Sequence, residues 1–337
     1  MEKIREEIKE KARQALASKE VDVILAWEKG ELWYDSYPAF FTKEKDIDSL
    51  VWDSFCVNNL SKYLLEYTMT DKKIGVFVKG CDALAFNQLV QDNRVSRDKV
   101  VLYGLPCSGM VDPDKVRTKN LNQGLTEIKK SKDKLIFITK DKEITVPAHE
   151  VYYDKCLHCR YPNPVTYDQL VGETVAAEGV LDDSVRFSGV KELEELSCEE
   201  RFEYWDGQFS KCIRCFACRN VCPACSCKQC TFDDSDLEVL GKAREDSEDK
   251  FFHLIRAYHV AGRCIDCGEC SRVCPQDISL EKLNRKLIKD INELYGEYQA
   301  GLDPSAKAPL GTYKLEDADS FTVGEKGGKK REKNSKR

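Results

Sequence analysis

Two runs of cysteine constrain this chain more than any other feature: Cys212-Ile-Arg-Cys215-Phe-Ala-Cys218-Arg-Asn-Val-Cys222-Pro223 and Cys264-Ile-Asp-Cys267-Gly-Glu-Cys270-Ser-Arg-Val-Cys274-Pro275. Both read C-x2-C-x2-C-x3-C-P. A loop with this spacing turns three sulfurs toward one point and aims the fourth elsewhere. Thiolate sulfur is soft and matches the iron of an iron–sulfur cluster. Cysteine makes up 17 of 337 residues, so three more at fixed offsets arise by chance about once in ten thousand starts. Two complete copies, each followed by proline, leave little room for coincidence. Zinc sites are built from two separated pairs of ligands rather than four cysteines in one run.

In two-cluster folds carrying this run, the fourth cysteine ligates the other cluster. One 4Fe-4S cluster is therefore expected on Cys212, Cys215, Cys218 and Cys274. The second is expected on Cys264, Cys267, Cys270 and Cys222. The motifs are separated by 41 residues, 223–263, and an apolar pattern predicts a helix over 248–261. A minimal ferredoxin has a shorter connection. The module resembles the helical ferredoxin domains of heterodisulfide reductase and succinate dehydrogenase iron–sulfur subunits.

Clustered thiols on this scale point to a reducing compartment, where disulfides do not persist. The odd cysteine count also fits a closed disulfide framework poorly. Only four His and three Met are present, little material for a haem or a His-rich site. The formal net charge of −6 argues against a nucleic-acid binder. No apolar run approaches the roughly 18 residues of a membrane span, and the charged N-terminus lacks a signal sequence. A cytoplasmic protein without a membrane span is expected.

The first half alternates strand and helix patterns. Residues 2–17 carry a helical stripe. Strands are expected at Val21–Trp27, Lys73–Lys79, Lys99–Tyr103, Lys134–Thr139 and Glu143–Val146, with helices at Ser49–Tyr67 and Ala83–Gln91 and a partly helical stretch at 112–128. The fold class is therefore an α/β N-terminal domain (1–180) with a mixed, mostly parallel sheet. A mainly helical dicluster domain (197–300) follows, ending in a helix over Leu280–Tyr298 with Ser279 as N-cap. Residues 304–337 form a mostly disordered, basic tail.

Nine cysteines remain. Cys81 and Cys107 each follow a predicted strand, at the edge where α/β proteins place ligands. With Cys156 and Cys159 of a C-x2-C they could converge on a third 4Fe-4S cluster. A redox dithiol at Cys156 and Cys159 is the competing reading. Cys225, Cys227 and Cys230, with Cys198, could form a zinc or further cluster site, or remain reduced thiols. His158 reads as a hydrogen-bonding neighbour and Cys56 as a core residue. Arg214, Arg219 and Arg272 flank ligands, and could either raise cluster potentials or steer an acidic partner. No catalytic triad, phosphate loop or facing carboxylate pair is apparent, so no catalytic residue is assigned.

Three segments occur in order: Val78-Lys-Gly-Cys81-Asp-Ala-Leu-Ala, Leu102-Tyr-Gly-Leu-Pro-Cys107-Ser-Gly-Met and Lys155-Cys-Leu-His-Cys159-Arg-Tyr. Over residues 20–175 the chain resembles the beta-subunit family of coenzyme F420-reducing hydrogenases and formate dehydrogenases. That resemblance implies an electron-entry subunit carrying FAD and iron–sulfur clusters beside a catalytic partner. The chain departs from the family pattern in two ways. Its ferredoxin motifs follow the α/β domain, and only Gly172, Gly179 and Gly189 stand where a glycine-rich flavin segment is expected. It also lacks G-x-G-x-x-G.

The expected function is electron transfer within an anaerobic redox complex of formate dehydrogenase, hydrogenase or heterodisulfide-reductase-like type. Two and possibly three clusters would carry the electrons. The alternatives are a self-contained flavin oxidoreductase, using reduced F420, NAD(P)H or ferredoxin, and a zinc scaffold.

Overall fold

The computed structural model describes residues 2–312 apart from 132, 176–182, 235, 237, 238 and 242–244. Helix α1 (Glu2–Ala17) leads into β1 (Val23–Lys29), β2 (Ser36–Phe41) and the short β3 (Leu50–Val51). Next come β4 (Ile74–Val78), α2 (Gly80–Gln91) and β5 (Val100–Gly104). A sheet runs in the order β2-β1-β4-β5-β9, β9 being Gln169–Leu170, with β3 also paired to β1. The β1–β4, β4–β5 and β5–β9 pairs are parallel, and β2 and β3 run antiparallel to β1. Every residue of β4 and β5 is buried, as expected of strands covered on both faces.

Three features of the α/β region differ from the sequence expectation. Ser49–Tyr67 is not one helix. Its start is β3, where Val51 pairs with Trp27, and its end is a 3-10 helix at Leu60–Tyr67. Tertiary contacts decide this: Asp82 accepts from Leu60 N–H at 2.5 Å, and the Ser61 hydroxyl donates to Asp82 O at 2.7 Å. Secondly, 112–128 divides into α3 (Pro113–Thr118), N-capped by Asp112, and the start of β6 (Leu125–Ser131). Thirdly, β6, β7 (Lys134–Thr139) and β8 (Glu143–Pro147) form their own antiparallel sheet. Their exposed faces leave them half-buried around a separate small core of Phe137, Leu135, Val116 and Val151.

The α/β half ends with α4 (Asp154–Leu157) and β9, and the second half is helical: α5 (Asp183–Arg186), α6 (Ser188–Glu194), α7 (Cys198–Phe209), α8 (Ala217–Asn220), α9 (Asp246–Val260), α10 (Glu269–Arg272) and α11 (Leu280–Tyr295). Phe209, Phe252, Ile278 and Leu280 make its core together with Cys212, Cys218 and Cys270. Helix α11 ends at Tyr295, before the expected Tyr298, at Gly296 with φ +93°. Ser279 holds the N-cap position but makes no side-chain cap. Ser271 of α10 supplies the oxygen instead, accepting from Glu281 N–H at 2.9 Å.

Side chains tie the halves together. Arg263 pairs with Asp92 at 2.5 Å and Lys155 with Glu269 at 2.6 Å. The chain beyond 300 folds back on α2: Asn87 donates to Gly301 O at 2.9 Å, and Gln91 donates to Ala306 O. The greater part of the expected tail, 313–337, lies outside the described residues.

Gly268 is a tight point of this junction. It has φ +65°, and a Cβ there would lie 2.5 Å from Lys155 Cβ. Gly268→Ala is expected to lower stability by at least about 2 kcal/mol. Gly207→Ala meets nothing within 4 Å inside α7 and should stabilise by about 0.5–1 kcal/mol. Thermal melts of both variants check the pair.

Candidate metal centres

The two cysteine motifs fold alike. Arg214 (φ 53°) and Phe216 (φ 57°) occupy the same places in the first loop as Asp266 (φ 60°) and Gly268 (φ 65°) in the second. A left-handed non-glycine residue costs on the order of 1–3 kcal/mol and persists only where its surroundings impose it. The turns wrap the backbone around the sulfurs, and Arg214 N–H donates to Cys212 Sγ at 3.4 Å. Each loop then enters a short helix, α8 or α10, which buries the third cysteine, Cys218 or Cys270.

The fourth cysteines cross over. Burial raises the Cys218 thiol to about 11, and Cys212, Cys274 and Cys215 stand close enough to raise it too. Burial likewise raises Cys264 and Cys267, each with Cys222 among its neighbours, and lifts Cys270 to about 12. Cys274 thus sits with the first motif and Cys222 with the second. Thiols this enclosed do not ionise unaided, but bound metal reverses that logic.

Arg256 lies between the two groups. It is 3% exposed and donates from Nη2 to Cys218 O at 3.0 Å. Burial alone would lower its pKa, yet the sulfurs of Cys222, Cys270, Cys225 and Cys218 more than reverse this. Its Nε has no hydrogen-bond partner. A buried cation facing sulfurs on two sides fits an anionic cluster at each. The arginines singled out from sequence are instead held by carboxylates: Arg214 by Asp249 and Glu248, Arg219 by Asp233, Arg272 by Glu269. The sequence signal for Arg256 was its place between Phe252 and Val260 on the buried face of α9.

A third group gathers at the carboxyl edge of the main sheet. Neighbouring parallel strands β4 and β5 deliver Cys81 and Cys107 to the same edge. Cys107 N–H donates to Pro162 O at 2.7 Å, which draws the Cys156–Cys159 segment across. All four sulfurs line one cavity of about 220 Å³, together with Lys79, Lys155 and Cys267. Cys267 belongs to the second motif, so this group adjoins that one. Burial and nearby Cys156 lift the Cys107 thiol to about 12, against the pull of Lys79. Lys79 is 2% exposed, pairs with Asp82 at 2.9 Å and stands 4.1 Å over the Trp27 ring. His158 bonds Asp154 O through its ring at 2.9 Å, and Cys56 is fully buried in the core.

Cys198 is exposed at the start of α7. It does not line the cavity shared by Cys225, Cys227 and Cys230, so the structure brings together three of that set. Among the described residues, no three of His, Cys, Asp or Glu approach closely enough to clasp a single ion. A cubane spreads its thiolates wider than a tetrahedral zinc does. Of the glycines standing where a flavin segment is expected, Gly172 packs against Ile4 and Gly189 against Lys282. Gly179 lies outside the described residues.

Residues 208–278 match the family described as a 4Fe-4S dicluster domain. The chain is 26% identical to the F420-dependent formate dehydrogenase subunit beta of Methanocaldococcus jannaschii, over 86% of this chain and 90% of that one. Over most of its length the chain is thus similar to beta subunits of F420-dependent formate dehydrogenases. F420-dependent formate dehydrogenase 1 subunit beta of Methanococcus maripaludis is also 26% identical, over 86% of this chain and 89% of that protein. A putative ferredoxin-3 of Sinorhizobium fredii is 39% identical across 69 residues, 20% of this chain and 65% of that one.

The Lys155–Glu269–Arg272 cluster joins the third group to the second motif. Burial would raise the Glu269 carboxyl, but Lys155 and then Arg272 pull it down to about 2. Its contribution to stability is therefore complete above the ordinary carboxylate range and lost only as pH falls toward about 2. Lys155→Met should cost about 3 kcal/mol at neutral pH by leaving the buried Glu269 carboxylate with Arg272 as its one cationic partner. Adding Glu269→Gln should recover part of that. The deficit of Lys155→Met should also narrow as pH falls below the ordinary carboxylate range, because the wild-type pair is then lost as well. Melts of the three proteins between pH 7 and 3 test this.

Proposed function

We propose that this chain is an iron–sulfur electron-transfer subunit of an anaerobic redox complex, holding two 4Fe-4S clusters in its helical half and a third in its α/β half. Cys212, Cys215, Cys218 and Cys274 hold one cluster. Cys264, Cys267, Cys270 and Cys222 hold the next. Cys81, Cys107, Cys156 and Cys159 hold the third. The observation that carries the reading is the crossover, in which each motif places its fourth cysteine among the other motif's three. Bound clusters supply one-electron exchange at potentials set by their surroundings.

The chain's own residues do the rest. Crossed ligands keep the two stations adjacent. Phe209, Phe252 and Ile278 exclude water from the first. Arg256 offsets negative charge between them, and Lys79 and Lys155 do so at the third. Cys267 lies on the wall of the third cavity, so the order runs from the α/β half through the second motif to the first. Partner subunits of formate dehydrogenase, hydrogenase or heterodisulfide-reductase-like type supply the donor and acceptor. Among the described residues no helix is long and apolar enough to cross a membrane. No step is assigned to FAD.

Anaerobic purification with iron and sulfide analysis tests the count. About eight iron atoms per chain mean two clusters and about twelve admit the third. Cys215→Ser and Cys267→Ser should each lose about four, with altered electron paramagnetic resonance of the reduced protein. Unchanged iron and spectra in both would refute the assignment.

A further inference from the structure

The cavity that Cys225, Cys227 and Cys230 share has a volume of about 790 Å³ and lies apart from the third group. We propose that it binds a further iron–sulfur cluster, held by these three thiolates and the imidazole of His259. All four side chains line the same cavity. Three soft sulfurs and one ring nitrogen form a donor set that suits iron.

Charge supports the assignment. Lys62, Arg219, Lys228, Arg256 and Arg263 also line the cavity, and Asp233 is the one carboxylate among its lining residues. Asp233 is already taken by Arg219 at 2.7 Å. Five cations facing three thiols repeat, with more charge, the pattern of Lys79 and Lys155 around Cys81, Cys107, Cys156 and Cys159. Arg256 is nine-tenths buried or more, and its unpartnered Nε belongs to a side chain that lines this cavity. A thiolate-ligated cluster is anionic and would meet these cations. Phe232, Phe252 and Val260 give the cavity an apolar side, which lowers solvent access to a bound cluster.

Position supports it as well. Cys225 hydrogen-bonds through its side chain to Cys222, and its N–H donates to Cys222 O at 3.1 Å. The site therefore adjoins the second motif, on a different wall from the third group. Lys62 reaches across from the α/β half to Cys225 O at 2.7 Å, so the pocket closes only when both halves are in place. The rival explanation is that these cations serve only as counter-charges to the second cluster, with the three thiols free.

The test uses the full chain, purified anaerobically, with iron, acid-labile sulfide and zinc measured alongside electron paramagnetic resonance of the reduced protein. Cys227→Ser and Cys230→Ser are each expected to lose about four iron atoms per chain, while the signals that depend on Cys215 and Cys267 persist. Cys198→Ser should lose none. Cys107→Ser reports on the third group separately, so failure of that reading is not mistaken for failure of this one. His259→Cys should retain the iron and change the spectrum. Wild-type iron and sulfide in both serine variants would overturn the proposal, as would loss of zinc instead of iron. If the serine variants do not fold, a His259→Cys spectrum identical to wild type overturns it, and a changed one supports it.

Discussion

The buried ion pair between Lys155 and Glu269, 2.6 Å long, is where the two halves of this chain become one molecule. Lys155 precedes Cys156 of the third cysteine group, and Glu269 precedes Cys270 of the second motif. Neither side chain tolerates burial alone, because an isolated charge in a dry interior is costly. Arg272 completes the cluster at 2.7 Å from Glu269. The requirement that these charges meet fixes how the C-x2-C segment of the α/β half lies against the helical half. Gly268, with no room for a Cβ beside Lys155, shows how close that approach is.

The same economy of charge recurs wherever sulfur is buried. Lys79 stands beside Cys81 and Cys107, Arg256 between the two crossed groups, and Lys62 and Arg263 beside Cys225 and Cys227. Thiolates and cations each raise the cost of the other's absence. Positive charge near a cluster also favours its reduced, more negative form. Packing and redox tuning are thus set by the same side chains.

Both cysteine loops carry left-handed backbone. The left-handed residues Arg214, Phe216 and Asp266 lie inside the cysteine loops. The backbone turns they make gather three sulfurs within a few residues. Short helices then carry the chain away, and the fourth cysteine arrives from the opposite motif.

The sequence alone determined the two ferredoxin-type motifs and the strands β4 and β5 that end beside Cys81 and Cys107. These were legible because cysteine spacing and continuous apolar runs are local signals with few alternative meanings. The family resemblance also rested on local segments. Tertiary structure alone decided the rest. It broke Ser49–Tyr67 into a strand and a 3-10 helix, since Asp82 offered better partners than a helix would. It separated β6–β8 from the main sheet, a choice of partner that strand pattern does not encode. It removed Cys198 from Cys225, Cys227 and Cys230, and gave Arg256 the central role that sequence proximity had suggested for Arg214, Arg219 and Arg272. Adjacency in the chain names the residues near a ligand, whereas the field at a buried sulfur depends on whatever the fold brings across to face it.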